Sequence, residues 1–342
     1  MAIVEHLIAD TFGTHIGKYS ERLKITQGDE TLQQAPLLHL KTVLVTSRGV
    51  SISADALEAC AERGIPVFFL DSLGHCYASL YAAGLTGTVL TRRAQLLAYA
   101  DGRGTSLALA IAEGKIRNQA ATLKYLAKTR KETNPQQAAE LELCAGEVLD
   151  AIAHLDRLPR DRPVDELREH ILAAEGEAAR RYWSAVGAIL PEQYGWPGRQ
   201  GRGATDPLNS LLNYGYGILY SRIEQAVVLA GLDPYAGFLH ADRPGKPSLV
   251  LDLIEEFRQV AIDRLVFGLA NRDFKVEQDD KGLLASETRR ALAEKVLEHL
   301  EATVRYEAKR YPLRFVIQSQ ARHLAAFLRG EREAYTAFKA SW

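Results

Sequence analysis

The chain has 342 residues, of which 47% are hydrophobic and 25% charged, an ordinary balance for a soluble globular protein with a substantial core and two domains. A formal net charge of −1 excludes a wholesale basic coat for nucleic acid or membrane, while leaving room for a local basic groove. Three cysteines without a CxxC pair (Cys60, Cys76, Cys144) suit a reducing cytoplasm, Glu5 and Asp10 stand where a signal peptide needs a basic flank and an apolar run, and no charge-free apolar segment approaches the length of a membrane span.

Residues 1 to about 88 read as β-rich. Short runs over 22–26, 37–45, 66–70 and 76–81 are separated by the turn signals Gly28-Asp29, Ser47-Arg48-Gly49, Gly64 and Ser72-Leu73-Gly74. Ser53 is placed to cap a helix over 54–63, which Gly64 ends. With the apolar runs Thr42–Val45 and Pro66–Leu70 on either side, it makes a β-α-β-like passage without a Gly-rich dinucleotide fingerprint. After Gly84-Leu-Thr-Gly87 the pattern turns helical. Candidate helices cover 92–99, 104–130, 135–157, 163–190, 206–230, 250–271, 287–309 and 316–338, with Pro135, Pro163 and Pro207 near starts and Asp206 as an N-cap. The expected fold is α+β: a small β-rich N-terminal domain over 1–88, then a larger all-α domain over 89–342.

The segment Pro191–Thr205 packs four glycines, two prolines, Arg199 and Arg202 into fifteen residues. It is irregular backbone, and its cations either touch a phosphate backbone or belong to an ordinary solvated loop.

Three places carry candidate chemistry. On the predicted helix 163–190, Ile171, Leu172, Ala178, Ala179, Tyr182 and Val186 lie at helical offsets from Glu175, so its carboxylate falls on the inward face. A buried carboxylate needs a cation: either a core salt bridge, with Arg180 or Arg222, or a metal. Gly176 in mid-helix, beside Ala178 and Ala179, suggests close approach of another backbone. Second, Asp252, Glu255, Glu256, Gln259 and Asp263 oppose Leu253, Ile254, Phe257, Val260 and Ala261, which is the polar stripe of an amphipathic, solvent-facing helix. His240, in a Gly/Pro-flanked turn just upstream, with Arg243, Lys246 and Arg258 nearby, raises a second reading: one imidazole and two carboxylates suit manganese or magnesium better than structural zinc. Third, Asn209, Asn213, Tyr216 and Tyr220 recur along one face of helix 206–230, and Gly215 and Gly217 permit close packing against a neighbouring helix.

The segments LAAEGEAARRYW and DPLNSLLNYGYGILYSRIEQAVVLAGLDPYAGFLHADRPGKPSLVLDLIEEFR, with the β-rich N-terminal domain, resemble the CRISPR-associated endonuclease/integrase of the spacer-acquisition (adaptation) module, over essentially the whole chain. The resemblance implies a β-rich dimerisation domain and a helical catalytic domain that binds metal and DNA. It also implies a homodimer that joins a small second CRISPR adaptation protein. By position it implies Glu175, His240 and Glu255 as ligands of Mn²⁺ or Mg²⁺, Asp252 as a helper beside Glu255, and Tyr220 near the active site. Arg180 follows the EGxAAR pattern and would order Glu175, while Arg243 and Arg258, with Arg199 and Arg202, would face DNA phosphates.

The chemistry implied is phosphodiester transfer on double-stranded DNA. The 3′-hydroxyl of a spacer fragment attacks the CRISPR repeat in integration, and water attacks in hydrolysis, with the metal polarising the phosphoryl oxygen. Two other readings stand beside it: a non-catalytic DNA-binding scaffold, and a metallohydrolase of small phosphoesters.

Overall fold

The computed structural model describes residues 4–81, 88–201, 203–272 and 274–341. Turn residues cut the N-terminal stretch into β1 (His6–Ala9), β2 (His15–Tyr19), β3 (Arg22–Gln27), β4 (Glu30–Pro36), β5 (Thr42–Val45), β6 (Ser51–Ile52), α1 (Ala54–Glu62), β7 (Val67–Leu70) and β8 (Cys76–Leu80). They form two four-stranded sheets, in the orders β1-β5-β7-β8 and β4-β3-β2-β6. Parallel β5 and β7 are joined through α1, which realises the β-α-β passage. Leu7, Ile16, Leu23, Val43, Cys60 and Val67 meet in one buried cluster that ties both sheets to α1.

The strand expected over 37–45 begins only at Thr42, because Pro36 ends β4 and the next residues turn, with His39 N donating to Pro36 O (3.1 Å) and Leu40 N to Leu37 O (3.3 Å). β4 escapes the sequence pattern because it is a largely exposed edge strand with no apolar alternation. Ser53 holds the N-cap position of α1, but its side chain makes no capping bond. Gly64, at φ +65°, closes that helix in the left-handed region.

The helical remainder comprises α2 (Thr88–Ala98), α3 (Gly102–Arg130), α4 (Pro135–Asp150), α5 (Ile152–Asp156), α6 (Val164–Gly187), α7 (Pro207–Leu229), α8 (Ser248–Ile254), α9 (Arg264–Ala270), α10 (Ser286–Glu301) and α11 (Leu313–Leu328). Two starts follow the expected chemistry: Asn134 accepts from Gln137 N ahead of Pro135 (3.1 Å), and Asp206 accepts from Asn209 N ahead of Pro207 (2.9 Å). The expected helix 287–309 stops at Glu301, and a hairpin of β9 (Thr303–Tyr306) and β10 (Lys309–Pro312) follows. β-Branched Thr303 and Val304 with Tyr306 and Tyr311 favour that pairing over helix. The expected helix 316–338 stops at Leu328; Gly330, at φ +77°, terminates it and residues 334–341 continue without helix. The chain is thus α+β, with the strands concentrated N-terminally. No helix among the described residues is long and apolar enough to cross a membrane.

The chain divides into two compact units. The first gathers Met1–Leu85, Arg202–Ser221 and Lys275–Glu298; the second gathers Thr86–Gly201, Arg222–Phe274 and His299–Trp342. In the first, Gly217 of α7 lies against the β7–β8 turn, where an added Cβ would stand 1.8 Å from Gly74 O. Its close neighbour is therefore a turn and not the helix expected. In the second, α3 packs against α4 and α6 and supplies the helical core. Gly176 of α6 makes no close approach: an added Cβ there meets nothing within 4 Å. Gly176→Ala is accordingly expected to stabilise the protein by about 0.5–1 kcal/mol, read as a rise in the urea midpoint.

Candidate metal centre

The second unit brings Lys115 of α3, Glu175 of α6, the 235–240 loop and the start of the segment 248–263 into one buried polar cluster. Glu175 is 8% exposed, on the inward face of α6 as its helical phase requires. Its cation is neither Arg180 nor Arg222 but Lys115, whose Nζ donates to Glu175 Oε1. The same Nζ pairs with Glu255 Oε2 at 2.6 Å. Arg258 Nε donates to the other oxygen, Glu255 Oε1, at 3.0 Å. Burial works against the Glu255 charge, but Arg258 and Lys115 outweigh it and hold the carboxyl well below the usual glutamate range. Burial likewise opposes the Lys115 charge, and Glu255 and Glu175 together keep its pKa above the ordinary lysine value.

His240 is set by Asp252. The loop returns onto α8 so closely that an added Cβ at Gly237 would stand 2.6 Å from the Ser248 backbone carbon, and Gly237 N donates to Ser248 Oγ at 2.8 Å. Asp252, fully buried, accepts from Phe238 N (2.6 Å) and Leu239 N (3.0 Å) on Oδ2, and from His240 N (2.8 Å) on Oδ1. His240 Nδ1 also lies 2.8 Å from Asp252 Oδ1. Because an ionised carboxylate only accepts, Nδ1 carries the proton and Nε2 keeps its lone pair in the neutral ring. Burial lowers the imidazole pKa, but Asp252 first, then Glu255 and Glu175, raise it above its ordinary value. Those couplings place both glutamates within electrostatic reach of His240.

The solvent-facing stripe expected on the 250–271 helix is not solvated. Asp252, Glu255, Glu256, Gln259 and Asp263 are all less than 5% exposed, as are Leu253, Ile254, Phe257, Val260 and Ala261 on the other side. The reason lies in the backbone and in distant partners. After α8 the chain makes a tight turn, with Phe257 N donating to Ile254 O (2.9 Å), then a π-helical turn over Gln259–Asp263 before α9. These changes of pitch break the single face of a regular helix; π turns of this kind concentrate at functional sites.

Glu255 and Glu256 consequently take different partners. Glu256 accepts from Tyr335 Oη (2.5 Å), Gln320 Nε2 (2.9 Å) and Phe338 N (2.8 Å), and burial pushes its carboxyl up to about 7. Asp263 Oδ2 accepts from Tyr182 Oη at 2.8 Å. The C-terminal segment is clasped to α3 as well: Asn118 Nδ2 donates to Glu256 O (2.8 Å) and Phe338 O (2.9 Å), and Lys339 Nζ to Glu113 Oε1 (2.9 Å). Phe338 stacks on Phe257 with ring centroids 5.5 Å apart. Tyr335→Phe removes a donor from the buried Glu256 carboxyl and is expected to cost about 1.5–3 kcal/mol of stability in urea unfolding.

Among the described residues no group of three or more His, Cys, Asp or Glu side chains is drawn together tightly enough to hold a metal ion as it stands. Lys115 is wedged between the two glutamates. The donor set nevertheless fits a divalent cation. Two hard carboxylates and one oriented imidazole are available, and Glu175 Oε2 is a buried atom without a hydrogen-bond donor.

The remaining candidates are dispersed. Arg258 is engaged with Glu255, as described above. Arg180 is exposed on α6, and Arg243 is exposed in the turn that bridges it to Lys246. Arg199 lies over the Trp183 ring, 5.7 Å from its centroid. Tyr220 is half-buried on α7, within the segment counted with the first unit, and Arg202 lies outside the described residues. Lys115 is the residue that sequence reasoning missed. Ala108, Ile111 and Ala112 share its helical phase and are apolar, but Asn118, Gln119 and Thr122 on the turns that follow are polar although buried, so the pattern that singles out Glu175 is only half present around Lys115.

A family model described as "CRISPR associated protein Cas1" matches residues 7–298. The CRISPR-associated endonuclease Cas1 1 of Archaeoglobus fulgidus is 38% identical over 347 residues, covering 98% of this chain and 99% of the relative. That of Francisella tularensis subsp. novicida is 35% identical over 331 residues, covering 96% and 97%. Among solved structures, a casposase bound to integration product superposes with a TM-score of 0.81 at 23% identity, over 99% of this chain and 95% of that one, and so shares the fold.

Proposed function

The chain belongs to the Cas1 family of CRISPR-associated endonucleases, and from that premise we propose that Glu175, His240 and Glu255 form the metal centre of a DNA endonuclease and integrase that inserts short foreign DNA fragments into a CRISPR array. Metal dependence is general in this family. The observation that carries the assignment to this site is the pairing of two buried glutamates that share one lysine ammonium, one of them with an oxygen (Glu175 Oε2) lacking a hydrogen-bond donor, with an imidazole whose Nδ1 is committed to Asp252. Bound there, Mn²⁺ or Mg²⁺ would supply Lewis-acid chemistry, polarising the phosphoryl oxygen and easing deprotonation of the attacking hydroxyl or water.

The chain's own residues do the rest. Asp252 holds the 238–240 backbone and fixes the His240 tautomer, so that Nε2 presents a lone pair. Arg258 keeps Glu255 ionised and limits its rotation. Arg243 and Arg199, with Arg180 and Arg202, would contact DNA phosphates without reading sequence, so affinity should fall steeply with salt. Tyr220 is proposed as a further active-site group. Residues 1–88 are proposed as the dimerisation domain and 89–342 as the catalytic, metal- and DNA-binding domain. The working assembly would be a cytoplasmic homodimer joined to a small second CRISPR adaptation protein, acting on double-stranded spacer and repeat DNA.

Strand transfer of a short duplex into repeat DNA, assayed with Mn²⁺, with Mg²⁺ and with chelator, beside hydrolysis of a small aryl phosphodiester, tests the reading. Metal-dependent joining is expected. Turnover of the small ester without action on DNA would instead identify a phosphoester hydrolase, and DNA binding without either activity a scaffold.

A further inference from the structure

We propose that Lys115 is a resident counter-cation of this centre, standing between Glu175 and Glu255 when no ion is bound and yielding that place when one binds. The inference rests on the reading of Glu175, His240 and Glu255 as metal ligands. Its ammonium reaches one oxygen of each glutamate, and the three side chains are only 13%, 11% and 5% exposed. A divalent ion that bridged the same carboxylates would need the same space. Two like charges this close and this dry repel strongly unless a cation lies between them, so the metal-free protein requires a substitute, and Lys115 supplies it.

The helix that carries Lys115 is not free to withdraw. Glu113 is tied to Lys339 and Asn118 to Glu256 and Phe338, and an added Cβ at Gly114 would stand 2.5 Å from Ala337 Cβ. Exchange therefore falls to the flexible four-carbon stem of the lysine, while α3 stays in place. The charge balance gives the exchange a consequence. With Asp252 counted beside the two glutamates, Lys115 and Arg258 leave one net negative charge around a neutral His240, so an arriving divalent ion moves the balance toward the state that attracts DNA phosphates. The metal in this reading both supplies the chemistry and removes the site's repulsion toward phosphate.

The test compares wild type, Lys115→Met, Lys115→Arg and Glu175→Gln by thermal melting in chelator and by direct Mn²⁺ titration followed by electron paramagnetic resonance. Lys115→Met should melt lower in chelator yet bind Mn²⁺ at least about tenfold more tightly, because the competing cation is gone. Lys115→Arg, which keeps the charge and adds a planar fork that grips carboxylates, should melt near wild type and bind Mn²⁺ more weakly. It carries the test by itself if Lys115→Met does not fold. Mn²⁺ affinities of the lysine variants within twofold of wild type would overturn the proposal. Failure of the metal-site reading looks different: wild type would then bind no Mn²⁺, or Glu175→Gln would bind it unchanged.

Discussion

Replacing Glu175, His240 or Glu255 with Ala is expected to reduce metal-dependent strand transfer by about a thousandfold or more, since Lewis-acid stabilisation supplies several kcal/mol and each 1.36 kcal/mol is a factor of ten in rate. DNA binding measured in chelator should be kept, because the arginines proposed to contact the backbone are not among the residues replaced. The three variants should not differ much from one another, since removing any member disables the same site. Their stabilities, however, should separate. Glu175→Ala and Glu255→Ala each leave Lys115 with one carboxylate instead of two, whereas His240→Ala removes a single donor from Asp252, which keeps its three backbone amides. Strand transfer surviving all three replacements would remove the catalytic assignment.

Asp252 should prove the most costly residue of the site for folding. Its carboxylate is fully buried and accepts from three consecutive backbone amides and one imidazole. Asp252→Ala strands those donors and is expected to cost about 3–5 kcal/mol, the range for breaking a buried charged network. Asp252→Asn preserves the shape but puts an amide NH₂ where amides must be accepted, and should weaken Mn²⁺ affinity by about 10–100-fold, as loss of a group that orients a histidine ligand does. Urea unfolding reads the first effect and metal titration of the folded Asn variant reads the second. A role as direct ligand alone would leave the 238–240 loop intact; hydrogen exchange at the Phe238, Leu239 and His240 amides distinguishes the two, with faster exchange expected in the Asn variant.

What the sequence could reveal depended on how local the cause was. Glu175 was legible because its neighbours at helical offsets are apolar, and the α6 phase is fixed by those residues alone. Lys115 obeys that rule only on its N-terminal side, since Asn118, Gln119 and Thr122 beyond it are polar and their burial rests on the fold. The polar stripe of the 250–271 segment was not legible, because its burial depends on partners distant along the chain. Gln320, Tyr335 and Phe338 satisfy Glu256, Tyr182 satisfies Asp263, and the 238–240 amides satisfy Asp252. Amphipathic periodicity reports polarity, and polarity implies solvent only when no such network waits on the other side.

The breaks in helical pitch at 255–263 were equally hidden, since no Pro or Gly marks them. In the β-rich part, the buried strands β5 and β7 declared themselves through continuous apolar runs, while edge strand β4 and the C-terminal hairpin had little burial to imprint a pattern. Family resemblance added the choice of Glu255 over Asp252 as direct ligand. In the structure Asp252 has its oxygens filled by the 238–240 amides, whereas the Glu255 oxygens face the side chains of Arg258 and Lys115.

Diffraction from crystals soaked in manganese, collected to record its anomalous signal, locates the ion and so decides whether Glu175, His240 and Glu255 hold it. The expected result is a peak ligated by Glu175, His240 Nε2 and Glu255, with Asp252 still on His240 Nδ1 and the Lys115 ammonium displaced from between the glutamates. A peak elsewhere, or none, with Lys115 still bridging the two carboxylates at saturating manganese, would contradict it.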